Sequence, residues 1–182
     1  MERRIKIVFD IEADGLLAEA TKIHCLVAKD IESGKLYSFY DDDSIKPIVG
    51  KHFSIDRIPD LFRKIDLVIG HNIINFDLPI LKKFFGITQT FEIVDTLVWS
   101  KVLYPDRPPD KGQPTLLFNP ITGKNEKIGP HSLAAWGYRL KHPKVEYFDW
   151  REFDEDMLRR GTDDVLLNEK VYLQLLAEAG LT

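Results

Sequence analysis

Cysteine is almost missing from this chain: Cys25 is the only one in 182 residues. That excludes an intrachain disulfide framework and a cysteine-rich zinc site, and it favours a reducing, intracellular setting. Long hydrophobic runs are missing too. The apolar stretch after Met1-Glu2-Arg3-Arg4 is too brief for a membrane span and lacks the small-residue cleavage pattern of a secretory signal, so a cytoplasmic protein with no membrane partner is expected. There is no internal repeat and no low-complexity tract. Basic charge is not in excess either, since 25 Lys and Arg stand against 29 Asp and Glu for a formal net charge of -4. On its face this argues against a broad basic surface for nucleic acid. Carboxylates gathered around bound cations would reverse that sum locally.

What is present is an ordinary globular balance, 44% apolar and 30% charged, of a length that fits one domain over residues 1–182. Ile5 to Asp10 is short, β-branched and nearly all apolar, as in a strand at the centre of a sheet. A turn at Ala13–Leu17 follows. Ile23, Cys25 and Val27 alternate with outward positions, and Ser33-Gly34 separates them from Leu36–Phe39, which together read as an antiparallel hairpin. Beyond it the rhythm becomes helix and strand in alternation. Ile58–Ile65 reads as a helix, Leu67–Gly70 as a strand, Asp77–Phe85 as a helix closed by Gly86, Ile93-Val94 as a strand and Thr96–Leu103 as a helix. Such alternation implies parallel pairing. Residues 104–129 hold five of the ten prolines and little periodicity, and are expected to form a long irregular excursion. A helix over His131–Leu140 precedes a terminal stripe of Leu158, Val165, Tyr172 and Leu176, with a possible break at Gly161-Thr162. The fold class is α/β on a mixed sheet.

Asp10 and Glu12 lie two residues apart at the end of a buried strand, so strand periodicity puts both carboxylates on one face where they can share an ion. Mg²⁺ suits such a pair, because it takes one or two carboxylates with waters and substrate phosphate oxygens. Chance pairing at a solvated strand end is the alternative. Asp77 follows the strand Leu67–Gly70 and starts a helix, where it can serve as an N-cap with Pro79 in the first turn, or join Asp10 and Glu12 at the carboxyl ends of the strands. Asp163 and Asp164 sit near the start of the last helical run, where acids meet the positive end of the helix dipole.

The order Asp10-x-Glu12, then Asp77 within Asn72-x-x-x-Phe76-Asp77-Leu78-Pro79, then a late helical Asp164, resembles the four-acid exonuclease superfamily. More narrowly it is similar to the proofreading domain of T7-like phage DNA polymerases. Asp10–Ala13, Thr21–Cys25, His71-Asn72, Asp95–Val98 and His131–Leu140 match in order, so the likeness runs over nearly the whole chain. The resemblance implies an RNase H-like fold, antiparallel in its first three strands and parallel after them, flanked by helices. It implies a 3′-to-5′ exonuclease that releases nucleoside monophosphates from single-stranded or frayed DNA 3′ ends, with an exoribonuclease as the alternative. Two divalent ions, Mg²⁺ or Mn²⁺, would be held by the four acids: Asp10 bridging both, Glu12 and Asp164 completing one, Asp77 holding the second. A polymerase or other replication protein is the implied partner, and phage or bacterial host cytoplasm the implied location.

One position departs from the pattern. The family's tyrosine type places a water-orienting tyrosine four residues before the last acid, and here that position is Arg160. Arginine stays protonated and only donates, so Arg160 can grip a phosphate or pair with a nearby acid but cannot act as a base. Either another side chain, His142, Tyr147 or Tyr138, takes the place of the tyrosine, or metal-bound hydroxide suffices, or the chemistry is impaired and the chain is a nucleic-acid-binding module. His71 and Asn72 are candidates for the terminal sugar or phosphate, or a turn-stabilising pair. Phe76, Trp136 and Tyr138 can stack on bases or pack in the core. The run Lys141–Lys144 can touch phosphates or lie solvated.

Overall fold

In a computed structural model, which describes residues 5–181, a six-stranded sheet runs in the order β4-β3-β2-β1-β5-β6. Met1–Arg4, read above as a start without a signal peptide, and the terminal Thr182 lie outside the described residues. The strands are β1 (Lys6–Ala13), β2 (Ile23–Asp30), β3 (Leu36–Phe39), β4 (Lys51–Phe53), β5 (Leu67–Gly70) and β6 (Glu92–Asp95). β1–β3 pair antiparallel, whereas β5 joins β1 and β6 joins β5 in parallel. The mixed topology expected from the sequence is therefore present, with β1 at its centre. β4, three residues paired in parallel at the outer edge of β3, has no sequence signal.

Alternation along β1 decides what each face of the sheet becomes. Ile7, Phe9 and Ile11 point into one core with Ile58 and Phe62 of α1 (Ile58–Phe62) and Ile80 and Leu81 of α2 (Asp77–Phe85). Val8 points the other way, into a cluster with Cys25, Val27, Leu158 and Val165. Asp10 and Glu12 share the Val8 face by strand period, so the apolar side that begins with Val8 turns acidic beneath the last helix, α5 (Glu155–Glu178). A third cluster packs α3 (Thr96–Leu103) and α4 (Leu133–Arg139) on α5 through Trp99, Trp136, Leu167 and Val171.

Three expectations need correction. The first helix is shorter than Ile58–Ile65, ending at Phe62 after a 3-10 turn at Ile55–Arg57. The excursion over 104–129 contains a hairpin, β7 (Leu116–Asn119) with β8 (Lys124–Lys127). Its reversal is closed by Asn119 Oδ1, which accepts from the N–H groups of Ile121 and Thr122, and by Gly123 at φ 66°. β7 alternates exposed with half-buried residues and β8 is exposed throughout, so neither strand buries an apolar face that would reveal it. Gly161-Thr162 does not break α5, which is continuous. Gly161 faces the side chains of Val27 and Glu12, which a Cβ there would meet at ordinary contact. Among the described residues no helix is long and apolar enough to cross a membrane.

Candidate active site

β1 delivers Asp10 and Glu12, and the middle of α5 delivers Asp164, to one point. Each offers a carboxylate oxygen within 4.8 Å of the others. Asp164 is buried and belongs to this group, while Asp163, one residue away, accepts from or pairs with His142 Nε2 at 2.7 Å. The bland role for Asp77 does not hold, because α2 has Phe76 at its N-cap position and no side-chain cap. The Oδ1 of Asp77 accepts instead from the backbone N–H of Ile11 at 3.0 Å, which ties the start of α2 to β1 between the first two acids. All four acids line one cavity of about 560 Å³ with His71, Asn72, Phe76, Lys144, Trp150 and Arg160.

Crowded, desolvated carboxylates resist ionising. Burial, and after it the charge of Asp164, pushes Asp10 up to about 7, against the pull of Lys144 and Arg160. Glu12 and Asp77 are driven well above the carboxylate range by burial and then by Asp10. Glu12 Oε1 and Asp164 Oδ1 are buried with no hydrogen-bond partner. Buried acceptors without donors are costly, and an all-oxygen donor set with unused lone pairs fits a hard divalent cation such as Mg²⁺.

Two cations already face these acids. Lys144 Nζ lies 2.7 Å from Asp164 Oδ2, and Arg160 Nε lies 3.5 Å from both Glu12 Oε1 and Asp164 Oδ2. Arg160 is further fixed by the Trp150 ring, 4.4 Å beneath its guanidinium, and by donation from Nη1 to Tyr147 O at 3.4 Å. Of the two readings of Arg160, the pairing with nearby acids is present, and the side chain lines the acid cavity. Lys144 was legible only as one member of a basic loop. Its position comes from Gly137: a Cβ there would sit 2.7 Å from His142 O and 3.2 Å from Lys144 N, so glycine lets the 142–144 loop lie on α4.

The side chains considered as substitutes for a tyrosine at 160 are committed elsewhere. His142 is held between Asp163 and Lys170, whose Nζ is 2.7 Å from Nδ1. The hydroxyl of Tyr147 donates to Asp154 Oδ2. Tyr138 is exposed on α4 and is not brought to the acid cavity. Trp136 is core, whereas Phe76 lines the cavity.

His71 and Asn72 stand at the rim of the acid cavity, held by Asp95, whose carboxylate accepts from the N–H groups of Asn72 and Ile74 and caps α3 through Leu97 and Val98. Asn72 adopts φ 65°, a left-handed conformation that asparagine tolerates. The Thr96 hydroxyl has one hydrogen and two oxygen acceptors, Asn168 Oδ1 at 2.7 Å and Gly70 O at 3.2 Å. His71 Nδ1, 2.9 Å from the same Oγ1, fits there as a donor, the tautomer in which no hydrogen is carried by Nε2. That atom is buried without a partner. Burial, with Lys144 nearby, lowers the His71 pKa to about 3 and keeps the ring neutral.

No family model matches the chain. Over 94% of its length it is 28% identical to the DNA-directed DNA polymerase of Enterobacteria phage T3 and to that of Escherichia phage T7. The chain is a homologue of these polymerases. It spans 27% of the length of each, and the likeness to the four-acid exonuclease region of T7-like polymerases read from the sequence is borne out. The chain also shares its fold with Brucella melitensis NrnC. The Mg²⁺-bound NrnC structure superposes with a TM-score of 0.59 at 18% identity, over 99% of this chain and 77% of that one. NrnC bound to pGG gives 0.60 with the same identity and coverage.

Proposed function

We propose that this chain is a metal-dependent 3′-to-5′ exonuclease acting on single-stranded or frayed DNA ends. The observation that carries this reading is the convergence of Asp10, Glu12 and Asp164 within 4.8 Å in a cavity that also holds Asp77 and opens to solvent beside two cations. The four acids would hold two divalent ions, Mg²⁺ or Mn²⁺, which supply activated hydroxide and charge stabilisation for phosphodiester hydrolysis. Mg²⁺ and the dinucleotide pGG are the ligands of the NrnC structures that share the fold.

The chain's own side chains do the rest. Arg160, seated on Trp150, aims a donor fork at the space where a scissile phosphate would lie. His71 Nε2, neutral and accepting, suits a sugar hydroxyl or an exocyclic amine of the terminal nucleotide, with Asn72 beside it. Phe76 and Trp150 give flat apolar surfaces to unpaired bases. Arg160 cannot accept the proton of the attacking water, so that role does not fall to position 160.

Digestion of a 5′-labelled oligonucleotide with Mg²⁺ or Mn²⁺ tests the proposal. A ladder shortening from the 3′ end, absent with EDTA and absent in Asp10→Ala, is expected. An intact oligonucleotide would overturn it. One observation favours a second reading, a binding module with weakened chemistry, namely the presence of Lys144 and Arg160 on the acids themselves. On that reading Arg160→Tyr raises the rate greatly. Parallel DNA and RNA oligonucleotides decide the sugar.

A further inference from the structure

We infer that Lys144 is a built-in counter-ion, which an incoming divalent cation displaces from Asp164 and which then holds substrate phosphate. Three observations separate it from Arg160. Its Nζ is within hydrogen-bond distance of Asp164 Oδ2, 2.7 Å, so that oxygen is already engaged. It extends from an irregular loop between α4 and α5, whereas Arg160 is rooted in α5 and stacked on Trp150. A lysine is a compact charge on a four-carbon stem and moves readily, while a stacked guanidinium keeps its plane. Of the two cations, Lys144 is the one built to leave.

The charge balance gives the exchange a direction. Without metal, Lys144 and Arg160 face Glu12 and Asp164, and Lys144 supplies the charge that pairs with Asp164. When divalent ions take over that neutralisation, Asp164 no longer holds Lys144. The freed ammonium still has a place to go, because Lys144 lines both the acid cavity and an adjoining chamber of about 660 Å³. Lys101, Lys127, Arg160, Tyr147 and Phe148 also line that chamber against the β7–β8 hairpin, and its cations outnumber the acids there, Glu126 and Glu146. Cations interleaved with aromatic rings suit a single-stranded backbone. Lys144 thus guards the acids when metal is absent and adds a positive charge to the substrate path when metal is bound. This second role rests on the nuclease reading, and the first does not.

The test is two affinities measured on the full chain, for wild type, Lys144→Met and Lys144→Gln, with thermal unfolding to verify that each is folded. Mn²⁺ binding, followed by calorimetry with Asp164→Asn as the site control, should tighten about tenfold in both lysine variants, since an opposite charge at this range shifts carboxylate affinities by that order. Affinity for a fluorescent single-stranded oligonucleotide, with Ca²⁺ as the ion, should fall in the same variants, and the slope of log affinity against log salt should lessen by about 0.7. Unchanged or weaker Mn²⁺ binding overturns the counter-ion role. Tighter Mn²⁺ binding with unchanged oligonucleotide affinity overturns the phosphate role. If the wild type takes up Mn²⁺ at the acids yet binds and degrades no oligonucleotide, the nuclease reading fails, and the metal arm alone still decides the exchange.

Discussion

The Oδ1 of Asp77 accepts a 3.0 Å hydrogen bond from the backbone N–H of Ile11, the residue between Asp10 and Glu12. An acid at the start of one element is thereby fastened to the strand that carries the other two. Asp77→Asn keeps an acceptor for Ile11 and should fold with near wild-type stability. Asp77→Ala leaves a buried N–H unsatisfied, at a cost of about 1–3 kcal/mol. Urea denaturation separates the two, and both should lose metal-dependent nuclease activity. Equal stability of the two variants would show that the bond contributes nothing.

Replacing Asp10 or Asp164 by Asn removes charge at the centre of the acid cluster while retaining size. Because phosphodiester hydrolysis relies on ions held there, the rate should fall by about two orders of magnitude or more. The metal-free fold should be unharmed or firmer in Asp10→Asn, whose charge is disfavoured by burial, and weaker in Asp164→Asn, which leaves Lys144 without its partner. Timed digestion of a labelled oligonucleotide, with melting curves in EDTA, checks both.

His71 gives a pH signature that depends on no metal. Its folded pKa of about 3 lies below the ordinary 6.5, so the unfolded chain binds its proton first. Stability from the neutral ring is complete above pH 6.5 and is lost as pH falls toward 3. Relative to His71→Gln, wild type should lose stability over that window. Parallel pH dependences of the two melting temperatures would contradict the buried, neutral imidazole.

Two glycines should respond in opposite directions to alanine. At Gly161 the added methyl meets Val27 and Glu12 at ordinary contact, 3.5 and 3.6 Å, and removing glycine from a helix interior should stabilise by about 0.5–1 kcal/mol. At Gly137 the methyl would lie 2.7 Å from His142 O, forcing the loop away and taking Lys144 off Asp164. Melting temperatures should rise for the first and fall for the second.

How much of this was legible depended on periodicity. β1, β5 and α2 announce themselves because each buries a regular face, and Asp10 and Glu12 followed from the period-2 alternation of β1. Asp164 was separable from Asp163 only through the resemblance; in the fold Asp164 lies on the side of α5 that meets the sheet, beside Asp10 and Glu12. The β7–β8 hairpin stayed hidden because Leu116 and Phe118 remain exposed, leaving no inward stripe. Lys144 stayed hidden for a different reason: its partner Asp164 lies across a loop whose path depends on Gly137, and no local pattern encodes such a crossing. His71 was marked as a candidate, but its tautomer needed the contacts of Thr96.

The seat of α5 over β1 and β2, where a methyl at Gly161 would touch the side chains of Val27 and Glu12 at ordinary contact, ties the gap between Glu12 and Asp164 to the packing of helix on strand. The parts that would choose a substrate, from the 104–129 excursion to the Trp150 loop, hang outside that joint. Exchanging those outer segments should therefore alter the choice of substrate while leaving the spacing of the acids in place.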